Sequence, residues 1–294
     1  MPSTVRTFVV RIPPVTVRVR SDLAPVAAHL TRFYAERLLP ADSAVFCDFD
    51  IALMAAGGLR RFWRPQVSFL LDGQDPFLPL PVEQAPPLLE WGLNWCMASR
   101  PLGYLAIHAA VVARGAEALV LPGFPGAGKS TLCSSLVFLD GWRLLSDELA
   151  LLDPATVSLA PHPRPINLKN RSIDIVSAFP GSRLSPRYHD TRKGTVALAA
   201  PPADSLARGE DPAYCRWVVF PTFIDEGEPW CEPISRAESF ALIAEQSFNK
   251  ERMGVTGFTA LAAMLDGAAC YQIGYRSTAE ALDLIARIRR GEAP

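Results

Sequence analysis

The stretch VLPGFPGAGKSTL, Val120 to Leu132, restricts the chain more than any other. Within it, Gly123 to Ser130 fits G-x-x-x-x-G-K-[ST], a loop whose main-chain N–H groups wrap phosphate oxygens. The loop works only between an apolar strand and the start of a helix. Both are present: "ALVLPG" reads as a strand and "KSTLCSSLVFL" as a helix, with Asp140-Gly141 as its stop. Gly123, Gly126 and Gly128 carry no Cβ, so the backbone can turn several N–H groups toward one oxyanion. The helix N-terminus adds partial positive charge. Lys129 supplies an ammonium for the β and γ phosphates, and the Ser130 hydroxyl is placed to ligate Mg²⁺. The expected nucleotide contacts are therefore Gly123, Phe124, Pro125, Gly126, Ala127, Gly128, Lys129, Ser130 and Thr131. The alternative is a glycine-rich turn with no ligand.

What precedes the loop is unusual. "AIHAAVVA", the turn Arg114 to Glu117, and "ALVLPG" read as a hairpin. If Ala113 pairs with Ala118, the same register sets His108 opposite Gly123, beside the phosphates but outside the motif. A slip of one residue would turn it to the other face, and a hydrogen-bonded core histidine is the competing reading. Farther on, "RLLSDELALLD" is a strand or a pair of strands. Its Asp147 and Glu148 read as lying on the strand next to the loop, where phosphoryl transfer needs an acid, to hold Mg²⁺ or to take the acceptor's proton. On an extended strand only one of the two would face the loop; an exposed acidic pair is the alternative.

Two basic, loop-like clusters follow. "PHPRPINLKNR" holds His162, Arg164, Lys169 and Arg171, and "SPRYHDTRKGT" holds Arg187, His189, Asp190, Arg192 and Lys193. Cations in such loops either sit in solvent or neutralise a transferring phosphoryl group, and Arg164, Lys169 and Lys193 are the candidates for phosphate or substrate contact. Beyond them "CRWVVFPTFI" and "AACYQIGY" read as strands, while "SRAESFALIAEQSF", "GFTALAAMLDG" and "STAEALDLIARIRR" read as helices. Ser277 and Glu280 have the spacing of a capping box. Alternating strands and helices indicate an α/β core.

Residues 1–87 have a different pattern. "FVVRIPPVTVRVR" alternates as a half-buried strand interrupted at Pro13-Pro14, "LAPVAAHLTRFYAERLL" is helical, and "AVFCDFDIAL" and "RRFWRPQVSFLLDG" are strands. The proline-rich "DPFLPLPVEQAPP" is the expected linker, with a helix from Leu88 to Ala98 after it. This α+β accessory region offers no catalytic constellation, so it is read as a packing or substrate-presenting module.

Bulk properties narrow the partners. The 29 Lys and Arg nearly cancel the 30 Asp and Glu, so no broad basic field points to nucleic acid or an anionic membrane. Leu105 to Pro122 is the most apolar long stretch, and His108, Arg114 and Glu117 interrupt it as a membrane span. Met1 to Arg11 lacks an apolar signal-peptide core, and the six scattered cysteines contain no C-x-x-C. A cytoplasmic protein with reduced cysteines is expected; self-association stays open.

Taken together, "IHAAVVA", "PGFPGAGKSTL" and "GWRLLSDELALL" resemble the HPr kinase/phosphorylase superfamily. They are similar above all to the HPr-kinase-related proteins (the HprK-related kinase A type) of bacterial peptide and natural-product gene clusters. The resemblance covers Leu105 to Leu152, with weaker echoes in "PRPINLK" and "HDTRKGTVAL". It implies an α/β fold with a P-loop kinase core of the HPr kinase/PEP carboxykinase type over residues 88–294. It also implies ATP and Mg²⁺ as cofactors and a serine hydroxyl of a protein or peptide as acceptor. His108 then matches the family's histidine ahead of the loop, and Asp147 the acid that serves as base. Glu148 takes the second acidic position, where HPr kinases have aspartate. No segment matches the HPr-docking region of the true enzymes, so HPr is not the expected acceptor. The rival readings are a small-molecule kinase and a nucleotide-dependent scaffold. A motor ATPase or guanine-specific protein lacks support: there is no L-S-G-G-Q, and Asn249-Lys-Glu-Arg252 ends in the wrong residue for N-K-x-D.

Overall fold

A computed structural model describes residues 4–58, 63–100, 102–123 and 126–293 of the chain. It is a mixed α/β structure that divides into two compact units, one of residues 1–97 and 185–198, the other of 98–184 and 199–294.

The first unit opens with β1 (Arg6–Ile12) and β2 (Val15–Ser21), an antiparallel pair whose turn holds the cis Pro13-Pro14 bond. The prolines thus end one strand and begin the next. After α1 (Ala24–Tyr34) come β3 (Leu38–Leu39), β4 (Phe49–Ala55), β5 (Gln66–Leu71) and β6 (Leu80–Pro81), in the sheet order β3-β1-β2-β4-β5-β6. Alternation sets the faces: Val17 and Val19 are buried, while Arg18 and Arg20 point out to Asp50, at 3.6 and 2.9 Å. The parallel register pairs Arg18 with Asp50. The helix α2 (Ala85–Ser99) starts three residues earlier than the sequence suggests. Pro86 and Pro87 occupy its first turn, where N–H groups have no intrahelical partner and proline costs nothing. Gly92 lies against the Phe69 ring, where a Cβ would collide. Between the two helices, Glu90 accepts from His29 Nε2 at 2.7 Å and from the Tyr34 hydroxyl at 2.9 and 3.1 Å. All three are buried.

The second unit begins with β7 (Leu105–Ile107) and β8 (Ala109–Arg114), which leave His108 as the corner between two sheets. β9 (Glu117–Pro122) returns antiparallel to β8, and α3 (Lys129–Leu139) follows the loop. Next come β10 (Arg143–Ser146), β11 (Ala150–Asp153), β12 (Ser158–Ala160), β13 (Ile166–Lys169) and α4 (Arg171–Ser177). The chain then enters the first unit for the hairpin β14 (Tyr188–Thr191) and β15 (Gly194–Ala199), and comes back. α5 (Ala203–Ala207), β16 (Tyr214–Phe223), β17 (Trp230–Pro233), α6 (Arg236–Glu245), α7 (Lys250–Asp266), β18 (Ala269–Tyr275) and α8 (Thr278–Arg290) complete it.

The main sheet of this unit has the order β10-β8-β9-β16-β18-β17, and a smaller one runs β12-β11-β7. β9 is central, antiparallel to β8 and parallel to β16. Its core is aliphatic: Val111, Ala113, Val120 and Val218 are all 1% exposed or less. At α8 the Ser277 half of the capping box forms, its hydroxyl accepting from the Glu280 N–H at 3.2 Å, while the Glu280 carboxylate accepts from the Arg276 N–H at 2.8 Å, one residue before the cap. Among the described residues no helix is long and apolar enough to cross a membrane.

Candidate functional site

The hairpin register is the one the residue pattern predicts, running from Arg114 opposite Glu117 to Ala109 opposite Pro122. One step further, His108 and Gly123 do not pair with each other. Gln246 takes both: its carbonyl accepts the His108 N–H and its side-chain Oε1 accepts the Gly123 N–H, each at 2.8 Å. Gln246 caps the helix with turn dihedrals, φ −90° and ψ 5°, so the helix expected to run through Phe248 stops at Glu245. Beyond it, Ser247 bridges Ile107, the Phe248 N–H donates to the Ala106 carbonyl at 2.9 Å, and Asn249 brackets the same strand. The Asn249 Oδ1 accepts from Ala106 N–H at 3.0 Å and its amide donates to the Tyr104 carbonyl at 2.8 Å. Backbone groups satisfied by a neighbouring strand no longer need the helix. The His108 ring, half-buried at this corner, stacks on Phe248 with centroids 5.6 Å apart.

The loop holds its glycines at φ values that side chains avoid: 155° at Gly123, 95° at Gly126 and 85° at Gly128. Gly128 is the residue before α3, and a Cβ there would come within 2.6 Å of the Tyr275 hydroxyl. That position admits glycine alone on both counts. Thr131 and Ala127 lie in the described part of the segment; Phe124 and Pro125 lie outside the described residues. The Lys129 side chain is 8% exposed, and its Nζ donates to the Gly123 carbonyl, across the loop. Burial pulls its pKa down to about 8, against the attraction of Asp147 and Glu148, and the nearby Lys169 pulls the same way as burial.

Asp147 is where the acid chemistry concentrates. It lies just past the end of β10, which is two strands from β9 with β8 between, rather than next to the loop strand as the sequence suggests. The chain bends there, so strand alternation does not decide which acid faces inward. Burial decides: Asp147 is 6% exposed and Glu148 half-buried. Asp147 Oδ2 accepts from the Ser130 hydroxyl at 3.2 Å and from the Asn167 N–H at 3.0 Å. Its Oδ1 is buried with no hydrogen-bond partner among the described residues. Desolvation, with Glu148 adding to it, raises the Asp147 pKa to about 7 despite the Asn167, Ser130 and Lys169 interactions. Asp147 therefore holds its proton to higher pH than an exposed carboxyl group does.

The two basic clusters part company. The first is not a solvated loop: Ile166–Lys169 is the strand β13, His162 is 1% exposed and Arg164 8%. Lys169 is near enough to act on the charge of both Lys129 and Asp147. The second cluster forms the β14–β15 hairpin, where Arg187, His189, Arg192 and Lys193 are exposed. Lys193 Nζ sits 5.1 Å from the Trp91 ring centroid within the first unit.

A fit to Mg²⁺ rests on the donors. Among the described residues no three His, Cys, Asp or Glu side chains gather into a protein-only metal cage. A hydroxyl, one buried carboxylate with a spare oxygen, and a second acid beside it are the hard oxygen donors that suit Mg²⁺ shared with phosphates. Gln246, Asn167 and Tyr275 carry no motif signal and were invisible to pattern; only their contacts reveal them. No protein-family model matches the chain, and no curated protein is significantly similar to it.

Proposed function

We propose that the chain is an ATP-dependent kinase with a P-loop core of the HPr kinase type, passing the γ-phosphoryl group to a hydroxyl of a peptide or protein, serine first. One observation carries this reading: the loop hydroxyl Ser130 is hydrogen-bonded at 3.2 Å to Asp147, a buried acid with a free oxygen and a pKa near neutrality. A structural glycine turn has no need of such a partner.

In this reading the N–H groups of the loop and the head of α3 cradle the β and γ phosphates of ATP. Lys129 exchanges its Gly123 carbonyl for a phosphate oxygen and, with Lys169 beside it, offsets the phosphate charge. Ser130, Asp147 and Glu148 would hold Mg²⁺, which when bound neutralises the phosphate oxygens and aligns them. Asp147 takes the proton of the acceptor hydroxyl as its oxygen bonds to the γ-phosphorus and the bond to the ADP oxygen breaks. His108, at the sheet corner beside Gly123, assists in orienting that hydroxyl. Arg164 is proposed as a further cation for the phosphates, and Lys193 as a contact for the acceptor.

The test uses γ-labelled ATP, Mg²⁺ and peptides encoded beside the gene, with phosphate addition read by mass spectrometry. Label on a peptide seryl oxygen supports the proposal. Nucleotide bound with no label transferred to any acceptor, small hydroxyl compounds included, would leave a nucleotide-dependent scaffold instead.

A further inference from the structure

Asn167 is 4% exposed, and among the described residues neither Oδ1 nor Nδ2 of its carboxamide has a hydrogen-bond partner. A buried amide with both ends unmet costs free energy that a leucine of similar volume would not, so its presence calls for a reason beyond packing. β13 supplies its direction. Ile166 and Leu168 are both fully buried apolar residues on one face of that strand, which puts Asn167 and Lys169 together on the other. Lys169 acts on the charges of Lys129 and Asp147, so this face is turned to the phosphate loop. The Asn167 backbone closes the argument: its N–H bonds Asp147 Oδ2, which also holds Ser130, so two hydrogen bonds of 3.0 and 3.2 Å link it to the loop.

We propose that Asn167 contacts the terminal phosphoryl group, its carboxamide NH₂ donating to a γ-phosphoryl oxygen while that group is bound and transferred; this rests on the kinase reading above. The chemistry selects the side chain. An amide donates to a phosphate oxygen without adding a cation that would compete for Asp147, and without adding a negative charge beside it as aspartate would. The phosphoryl group leaves the ADP oxygen, bonds to the acceptor oxygen, and releases the acceptor's proton to Asp147; Asn167 holds the moving group and exchanges no atom.

The experiment compares ADP with the non-hydrolysable triphosphate AMP-PNP by calorimetric titration of the full chain with Mg²⁺, in wild type and Asn167→Leu. Leucine keeps the volume and removes the unmet amide, so the variant is expected to fold at least as well. AMP-PNP should bind roughly ten- to hundredfold more weakly to the variant, with ADP affinity within about twofold, the size of one hydrogen bond to a charged group. kcat should fall with KM for ATP rising less. Asn167→Ser, which keeps a donor, should recover part of the preference, and carries the test if the leucine variant does not fold. Equal weakening of both nucleotides, or no change in either, overturns the contact and leaves the kinase reading intact. A wild-type chain that binds neither nucleotide removes both. A wild-type chain that prefers AMP-PNP through Asn167 yet labels no acceptor keeps the contact and removes the kinase.

Discussion

Each unit buries one carboxylate in the company of polar groups, and the two are treated in opposite ways. In the first unit both oxygens of Glu90 are engaged, by His29 and twice by Tyr34, and the trio ties α1 to α2. In the second, Asp147 has one engaged oxygen and one with no partner, and the neighbouring Asn167 carboxamide is unmet at both ends. At Glu90 both carboxylate oxygens are satisfied, and the gap that remains there is on the imidazole, at His29 Nδ1. In the proposed reading, a nucleotide at the glycine loop completes the hydrogen bonding that Asp147 and Asn167 leave unfinished.

The comparison breaks most clearly under Asp147→Asn. Labelled-phosphate transfer should fall about a thousandfold, within the range for loss of a general base, with ADP binding in the absence of Mg²⁺ little changed. Turnover at the wild-type rate would place Asp147 with Glu90 as a structural acid. Next, Glu90→Ala should cost about 3 kcal/mol, seen as a melting midpoint lowered by roughly 6–12 °C, because His29 and Tyr34 lose their acceptor in the interior. A midpoint within a degree or two of wild type would remove the contrast from the other side.

A third measurement follows nucleotide-free stability against pH. The Asp147 pKa stands above its unfolded value of 3.8, at about 7, so the folded state binds the extra proton between those limits. Its contribution to stability is whole below pH 4 and is lost as pH rises through 7. Asp147→Asn, which cannot ionise, should therefore be the more stable protein at pH 8, by on the order of 2 kcal/mol, with the gap closing toward pH 4. A gap that widens on acidification contradicts the assignment. The smallest effect belongs to Gln246→Ala, which unties Gly123 from the corner strand and should cost about 1 kcal/mol, raising KM for ATP several-fold.

How much of this could be read beforehand depended on the range of the interaction. The loop, α3 and the β8–β9 register came through because glycine placement and hairpin pairing are local, and α3 spans the residues its pattern indicates. Asp147 was legible as a residue but its strand neighbour was not, since sheet order is a long-range property. The early start of α2 was hidden by reading Pro86 and Pro87 as breakers, when position within the first turn decides their effect. Gln246 and Asn167 lie 123 and 20 residues from the groups they bond, Gly123 and Asp147, and no spacing rule reaches them.

The excursion of Ser185–Leu198 into the first unit has a bearing on how this gene can be dissected. Gln84 donates its amide to the carbonyls of His189 and Asp190, both at 3.2 Å, and Lys193 lies over Trp91, so the hairpin is furniture of a unit whose other residues end at 97. A single cut in the coding sequence cannot separate the halves. Anyone expressing either one alone must graft the hairpin onto the front piece and splice residue 184 to residue 199 in the back one.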